Sequence, residues 1–285
     1  MVRFLDGKLV KAERQKALEL AVAKLDFVPT LAIIQVGNRP DSNSYIEQKK
    51  KFGEDIGVKV EHIKFPEEVD EHEIISKIKL LNEDKSIQGI IVQIPMPVHI
   101  DRDLVIDAVD PKKDVDGLTA TSLKYLFEGR EGGFTPATTL GIISILKYYN
   151  IALEGKRVVL LGRSSLVGKP TMLALLNENS TVTICHSHTE NLKEITQGAD
   201  ILIVAIGKPR FITHEYVSRG QIVIDVGINT IDHKLEGEVA GKKLVGDVDC
   251  AEVEDIVDAI TPVPGGVGQM TVVSLFENLL KACKV

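Results

Sequence analysis

Tryptophan is absent from the 285 residues, and aromatic side chains make up only 5% of them. So few flat rings leave little on which bases could stack, which argues against a single-stranded nucleic-acid platform. Positive charge is also short: 34 Lys and Arg against 41 Asp and Glu leave a formal charge of −7. An acidic chain is a poor partner for nucleic acid or an anionic membrane. The three cysteines, Cys185, Cys250 and Cys283, form no CxxC pair. A sparse, odd set suits buried thiols in a reducing cytoplasm. No apolar run approaches the roughly 20 residues of a membrane span. The start, MVRFLDGKLV, lacks the apolar stretch of a secretory signal. A cytoplasmic location is expected. No internal repeat or low-complexity segment is visible.

What is present is ordinary globular material. Hydrophobic residues make up 44% of the chain, ample for two cores, and domains of about 100–200 residues suggest two of them. Apolar patterning alternates strand and helix. Helical spacing over Leu9–Leu25 precedes a strand at Thr30–Val36 and a helix over Ser42–Ile56. A strand at Val58–Phe65, a helix over Ile74–Asn82 and a strand at Gly89–Ile94 follow, then a short helix over Leu104–Val109 and a loop at Pro111–Thr119. After a helix over Gly141–Tyr149 the alternation resumes, with strands at Val158–Leu161, Thr181–Ile184, Ile201–Ala205 and Ile222–Asp225. A weak strand near Leu244–Val245 and a helix over Thr271–Ala282 close the chain. This is an α/β chain with parallel sheets covered by helices. The expected division is a catalytic domain over residues 1–139, with the helix of 270–285 packing back on it, and a Rossmann-type domain over 140–269. Ligands in such folds lie beyond the carboxyl ends of strands, so a cleft between the domains is expected.

The stretch RVVLLGRSSLVGKP from Arg157 organises the second half. A β-branched strand runs into Gly162, a short turn ends at Gly168, and a helical pattern follows. That order puts helix N–H groups where a phosphate can sit. The spacing departs from GxGxxG, with Ser164 at the middle position and the last Gly one residue late. On its own it is also compatible with a turn whose glycines only relieve strain. The end of the next strand reads Cys185-His186-Ser187-His188, with no acid to hold a ribose hydroxyl. Arg163 and a hydroxyl suit a 2′-phosphate instead, so NADP rather than NAD is predicted. A metal at these histidines is disfavoured, because no second ligand cluster matches.

Tyr45 and Lys49 lie four apart on one helix and share a face. Lys50 and Lys51 adjoin them, and such a run usually faces water. Placed in a cleft, however, a lysine with its pKa lowered by burial and neighbouring cations can exchange protons near neutrality. Gln93 ends a strand and alternates with Val92 and Ile94, so its amide could hold the lysine or a ligand. Asp114-Val115-Asp116-Gly117 reads as a turn. It resembles a calcium loop only in part, because the closing Glu is missing. A carboxylate there could accept paired hydrogen bonds from an amino-heterocycle. The run from Thr261 to Gly268, TPVPGGVG, is a stiff loop able to bring backbone N–H groups close to a flat ligand.

Nine strings together resemble the bifunctional methylenetetrahydrofolate dehydrogenase/methenyltetrahydrofolate cyclohydrolase family. They are Asp6-Gly7-Lys8, VGNRPDSNSYIEQKKK from Val36, GIIVQIPMP from Gly89, PKKDVDGLT from Pro111, GRSSLVGKP from Gly162, CHS from Cys185, DVGIN from Asp225, GDVD from Gly246 and TPVPGGVG from Thr261. The resemblance implies oxidation of 5,10-methylenetetrahydrofolate with NADP and hydrolysis to 10-formyltetrahydrofolate, in a two-domain fold that is usually a homodimer. It implies that Lys49 is the general acid/base, Tyr45 stacks on the folate, Gln93 tunes Lys49 and Asp116 anchors the pterin. Val92, Ile94, Pro264, Gly265, Gly266, Val267 and Gly268 would be further folate contacts. Gly162, Arg163, Ser164, Ser187 and Ile228 would contact NADP.

The chain departs from the family's usual strings in three places. Ala137 and Thr139 replace the cysteine and second proline of PCTP, so contacts on the cofactor side are expected to differ there. Gln269 replaces a proline, which is expected to loosen the helix start. His188 replaces a lysine and weakens the argument for a 2′-phosphate. Two other functions stay open on the residues: an NADP-dependent dehydrogenase of another small molecule such as shikimate, and a folate or nucleotide binder without turnover.

Overall fold

The structure, a computed structural model, describes residues 2–233 and 241–284. The chain divides into two compact units. One comprises Ala12–Ala137 with Val272–Val285, and the other Met1–Lys11 with Thr138–Thr271.

In the first unit the central strand is β2 (Thr30–Val36), buried at every position. Its neighbours are β3 (Lys59–Phe65) and β4 (Gly89–Val92), in the order β3-β2-β4, all parallel. A strand covered on both faces needs no polar alternation, which is why TLAIIQV reads as one apolar run. β3 lies at the edge and carries Lys59, Glu61, His62 and Lys64, side chains that discourage further strand pairing. The helices are α2 (Pro40–Asp55), α3 (Glu71–Glu83), α4 (Arg102–Asp107) and α5 (Ala120–Glu128). α2 opens with proline at its first turn. α3 is capped by Asp70, which accepts from the N–H of His72. The last helix, α10 (Met270–Ala282), enters this unit at Val272. Its Phe276 ring lies 5.1 Å from that of Phe52 on α2. Burying such a side chain contributes roughly 1.5–3 kcal/mol.

The second unit holds six parallel strands: β1 (Arg3–Phe4), β5 (Arg157–Leu161), β6 (Thr181–Cys185), β7 (Ile201–Val204), β8 (Ile222–Asp225) and β11 (Ala259–Ile260). Their order is β1-β11-β8-β7-β5-β6. Chain order reverses at β5, flanked by β6 and β7, so the crevice beyond the carboxyl ends of β5 and β7 is the switch point at which ligands bind. A cleft of about 730 Å³ opens at the opposite edge, lined by the first residues Arg3, Ile201, Ile222 and Ala259 of four strands. Helices α6 (Ala137–Tyr148), α7 (Gly168–Asn177), α8 (Leu192–Gln197) and the short α9 (Cys250–Val253) complete the unit, with the first turns of α1 (Gly7–Val22).

Residues 1–11 lie with the six-stranded unit, where Arg3 and Phe4 pair with Ala259 and Ile260. One expectation is corrected. The strand near Leu244 does not continue the parallel alternation. It is β10 (Gly241–Val245), antiparallel to β9 (Asn229–His233) in a separate ribbon. Among the described residues no helix is long and apolar enough to cross a membrane.

Candidate active site

On α2 the core takes Ser42, Ile46, Phe52 and Gly53. That leaves Tyr45 and Lys49 together on a flank, one turn apart. The Tyr45 ring is 44% exposed, open to a stacking partner. Lys49 is half-buried and does not point away into water. Its Nζ donates to Oε1 of Gln93 at 2.9 Å. The Gln93 Nε2 donates to the Ile94 carbonyl at 2.8 Å, which turns the amide oxygen towards the amine. The lysine run therefore splits three ways: Lys49 faces inward, Lys50 pairs with Glu47 at 2.7 Å, and Lys51 is exposed.

Burial draws the Lys49 pKa down from the usual lysine range, and the charge of Asp116 acts in the opposite direction. Burial pushes Asp116 up, opposed by Lys49 and reinforced by Asp114. An amine, a carboxylate and an amide are thus set in one electrostatic neighbourhood. A lysine with a lowered pKa can both give and accept a proton.

The Asp116 loop is tied from beneath. Ile90 of β4 donates to the Lys113 carbonyl at 2.8 Å, and Gly117 to the Asp114 carbonyl at 3.0 Å. The buried Asp114 carboxylate accepts from Leu118 N at 3.2 Å, Thr119 N at 2.9 Å and the Thr119 hydroxyl at 2.7 Å. Those donors occupy the oxygens that a calcium loop would need. No group of three or more His, Cys, Asp or Glu among the described residues could hold a metal. Val92 is 5% exposed and packs in the core with Ile34, Val36 and Ile90, so its side chain is not presented to a ligand. Ile94 is only partly buried against that core.

The remaining candidates lie in the second unit. Gly162 follows β5 with φ +127°, and a Cβ there would strike the Ala205 carbonyl beyond β7. A Cβ on Gly168 would strike the Gly162 carbonyl. Only glycine allows so close a turn at the switch point. The Ser164 hydroxyl accepts from Val167 N at 3.2 Å and Gly168 N at 3.3 Å, capping α7. The backbone N–H groups of residues 163–166 have no partner among the described residues, so they are open to a phosphate. Arg163, Ser187 and His188 are exposed, and no acid stands at the end of β6. The His186 pKa is lowered by burial first, then by the charges of Arg163 and His188.

Ile228 is 48% exposed, and a Cβ on Gly268 would come within 2.8 Å of its Cδ1. Gly265, Gly266 and Val267 are buried, while Pro264 and Gly268 are exposed. The Gly265 carbonyl accepts from Gly7 N at 2.8 Å, seating this loop on the start of α1. The departures have structural uses. The Thr139 hydroxyl meets that of Thr171 at 3.0 Å, joining α6 to α7. Gln269 N donates to the Gly266 carbonyl at 3.1 Å, a bond proline cannot make, so the turn before α10 is closed and not loosened.

Sequence reasoning passed over Asp114 as a partner for Asp116, and over α5 altogether. The signal was present: Thr119 caps the helix, and Gly129 ends it at φ +63°.

Comparison with known proteins adds independent findings. The family model for the tetrahydrofolate dehydrogenase/cyclohydrolase catalytic domain matches residues 5–116, and that for its NAD(P)-binding domain matches residues 136–285. The bifunctional protein FolD of Agathobacter rectalis is 48% identical over the whole of both chains. A crystal structure of the bifunctional FolD enzyme of Campylobacter jejuni superposes with a TM-score of 0.93 at 40% identity, covering 100% of this chain and 99% of that one. The Trypanosoma brucei enzyme, solved with NADP cofactor and an inhibitor, gives 0.92 at 33% identity, covering 99% and 97%.

Proposed function

Because this chain belongs to the tetrahydrofolate dehydrogenase/cyclohydrolase family, we propose that it oxidises 5,10-methylenetetrahydrofolate with NADP and hydrolyses the methenyl product to 10-formyltetrahydrofolate. The observation that carries the residue assignment is the 2.9 Å bond between Lys49 and Gln93 beside Asp116, with the lysine pKa drawn down.

The residues fit the cofactor: a glycine turn at a switch point, open N–H groups at residues 163–166, and Arg163, Ser164 and Ser187 around them. Ile228 offers an apolar contact on the loop after β8. NADP, held by these residues, would supply the acceptor for the hydride of the methylene carbon. The two folate nitrogens stabilise the resulting cation, so the protein's share of this step is alignment. Tyr45 stacks on the folate ring, and Asp116 accepts from the pterin's amino edge. The Ile94 side chain and the loop of Pro264, Gly265, Gly266, Val267 and Gly268 add folate contacts, with Val92 restricted to its backbone.

Hydrolysis adds water to the methenyl carbon with loss of a proton. Protonation of N5 then lets its bond to that carbon open as the new hydroxyl releases its proton to solvent, leaving the formyl group on N10. Lys49 receives the first proton and returns one to N5, and Gln93 holds the amine in place by accepting from it.

The test follows absorbance at the nicotinamide and methenyl bands together. The wild type is expected to reduce NADP in the presence of methylenetetrahydrofolate and to consume added methenyl compound. Lys49→Met is expected to lose hydrolysis by roughly 10²–10⁴-fold, the usual worth of a general acid/base. Full hydrolysis in that variant would remove Lys49 from its role.

A further inference from the structure

Beyond the cofactor contacts lies a pair of buried carboxylates. Asp225, the last residue of β8, is 3% exposed, and Asp247, just past β10, is 0% exposed. Asp225 Oδ1 accepts from Gly227 N at 3.0 Å and Asp247 N at 3.0 Å, and its Oδ2 accepts from Val248 N at 3.0 Å. Asp247 Oδ2 accepts from Ile206 N at 2.7 Å and Gly207 N at 2.9 Å, and its Oδ1 from the Asn229 side-chain amide at 2.8 Å. Every partner is an N–H donor. The donors belong to three separate segments: the one that leaves β7 beside Gly162, the one after β8 that presents Ile228, and the one after β10. No Cβ would fit at Gly246, because Asp225 fills that space.

A carboxylate buried beside a second acid is costly, since burial and the Asp247 charge both oppose the ionisation of Asp225. Apolar packing would hold three loops more cheaply. An acceptor-only pair is the arrangement that meets six N–H donors at once and sets the loop edges where the cofactor reading needs them.

We propose that Asp225 and Asp247 are positioning residues for the nucleotide, holding the segments of residues 205–207, 226–229 and 246–248 in the arrangement that binds it. The proposal rests on the reading of this unit as the NADP site. Neither carboxylate touches the nucleotide. They act through the backbone they hold.

One consequence separates positioning from mere structure. Burial pushes the Asp225 carboxyl up to about 7, the Asp247 charge adds to that, and the N–H donors pull it down. Among the described residues, the Cys250 thiol also feels the Asp225 charge. Protonating Asp225 puts a proton where an N–H must be accepted. The grip is therefore complete above that pH and slackens below it.

The experiment measures NADPH binding by fluorescence titration across pH for the wild type, Asp225→Asn and Asn229→Ala. The amide is neutral at every pH and imitates the protonated acid. Asp225→Asn is expected to bind about tenfold more weakly near pH 8.5, with the ratio to wild type approaching about one near pH 5.5. Taking the ratio cancels the titration of the cofactor's own 2′-phosphate. Asn229→Ala, which removes a single peripheral bond, is expected to weaken binding by about threefold and keeps the test alive should Asp225→Asn fail to fold. In turnover, KM for NADP rises in both variants and KM for the folate does not. A ratio independent of pH, or unchanged binding in both variants, overturns the proposal. A wild type that binds no NADPH at any pH overturns the cofactor reading, and this proposal with it.

Discussion

Thr119 grips the Asp114 carboxylate twice, through its backbone N–H at 2.9 Å and its hydroxyl at 2.7 Å. The same threonine caps α5. One buried acid therefore sets both the start of a helix and the height of the loop that carries Asp116. Asp114→Asn would point an amide donor at donors. The expected cost is about 1–3 kcal/mol of stability, read as a lower melting temperature. KM for the folate should rise several-fold, with KM for NADP unchanged. An unaltered folate KM would dissociate Asp114 from the site.

Asp116 holds the Lys49 pKa up while burial pulls it down. Asp116→Asn removes the upward influence, so the amine loses its proton at lower pH than in the wild type. The limb of the hydrolysis pH–rate profile that belongs to Lys49 should move towards acid, and the maximal rate should fall. A shift towards alkali would show that the two groups are not coupled as the geometry indicates.

No acid stands at the end of β6, where Ser187 is exposed. Ser187→Asp places a carboxylate where the 2′-phosphate is expected. Repulsion of about 1.4 kcal/mol or more would raise KM for NADP by at least about tenfold. KM for NAD should fall or stay level. Arg163→Ala should move the two constants in the same directions, and equal losses for both nucleotides would place the phosphate elsewhere.

Gln35 of β2 is 1% exposed. Its amide donates to Asn43 on α2 at 2.8 Å, and its carbonyl oxygen lies 2.8 Å from His62 Nε2 on β3. Asn43→Ala leaves the buried Gln35 amide short of a partner and should cost about 1–3 kcal/mol. Gln35→Leu combined with Asn43→Ala should cost less than the two single changes added together, as a double-mutant cycle in denaturant would show. Strict additivity would mean that the pair does not help to seat the helix bearing Tyr45 and Lys49.

Much of this architecture was legible in the residues. Thr30–Val36 and Thr181–Ile184 read as strands because β-branched residues cluster between turn signals; the first stands at those bounds and the second runs one residue further, to Cys185. The glycine turn after β5 was legible because Gly162 and Gly168 bracket it. Other elements were not. β1 and β11 are two residues long, too short for any periodicity, and exist only because each lies against a neighbour. β10 carried a strand signal, but no local feature distinguishes a parallel partner from the antiparallel β9 it takes.

From sequence alone came the strand–helix alternation, the glycine turn, the absence of an acid after β6, and the candidacy of Tyr45, Lys49, Gln93 and Asp116. These depend on side-chain chemistry and on neighbours a few positions away, which the chain order displays directly. Tertiary structure alone decided that Lys49 reaches Gln93, 44 positions along the chain, and that Asp225 and Asp247 gather N–H donors from three separate segments. It also decided that Val92 turns into the core. Burial, and the proton affinities that follow from it, are set by groups distant in the chain and adjacent in space, so no local pattern records them.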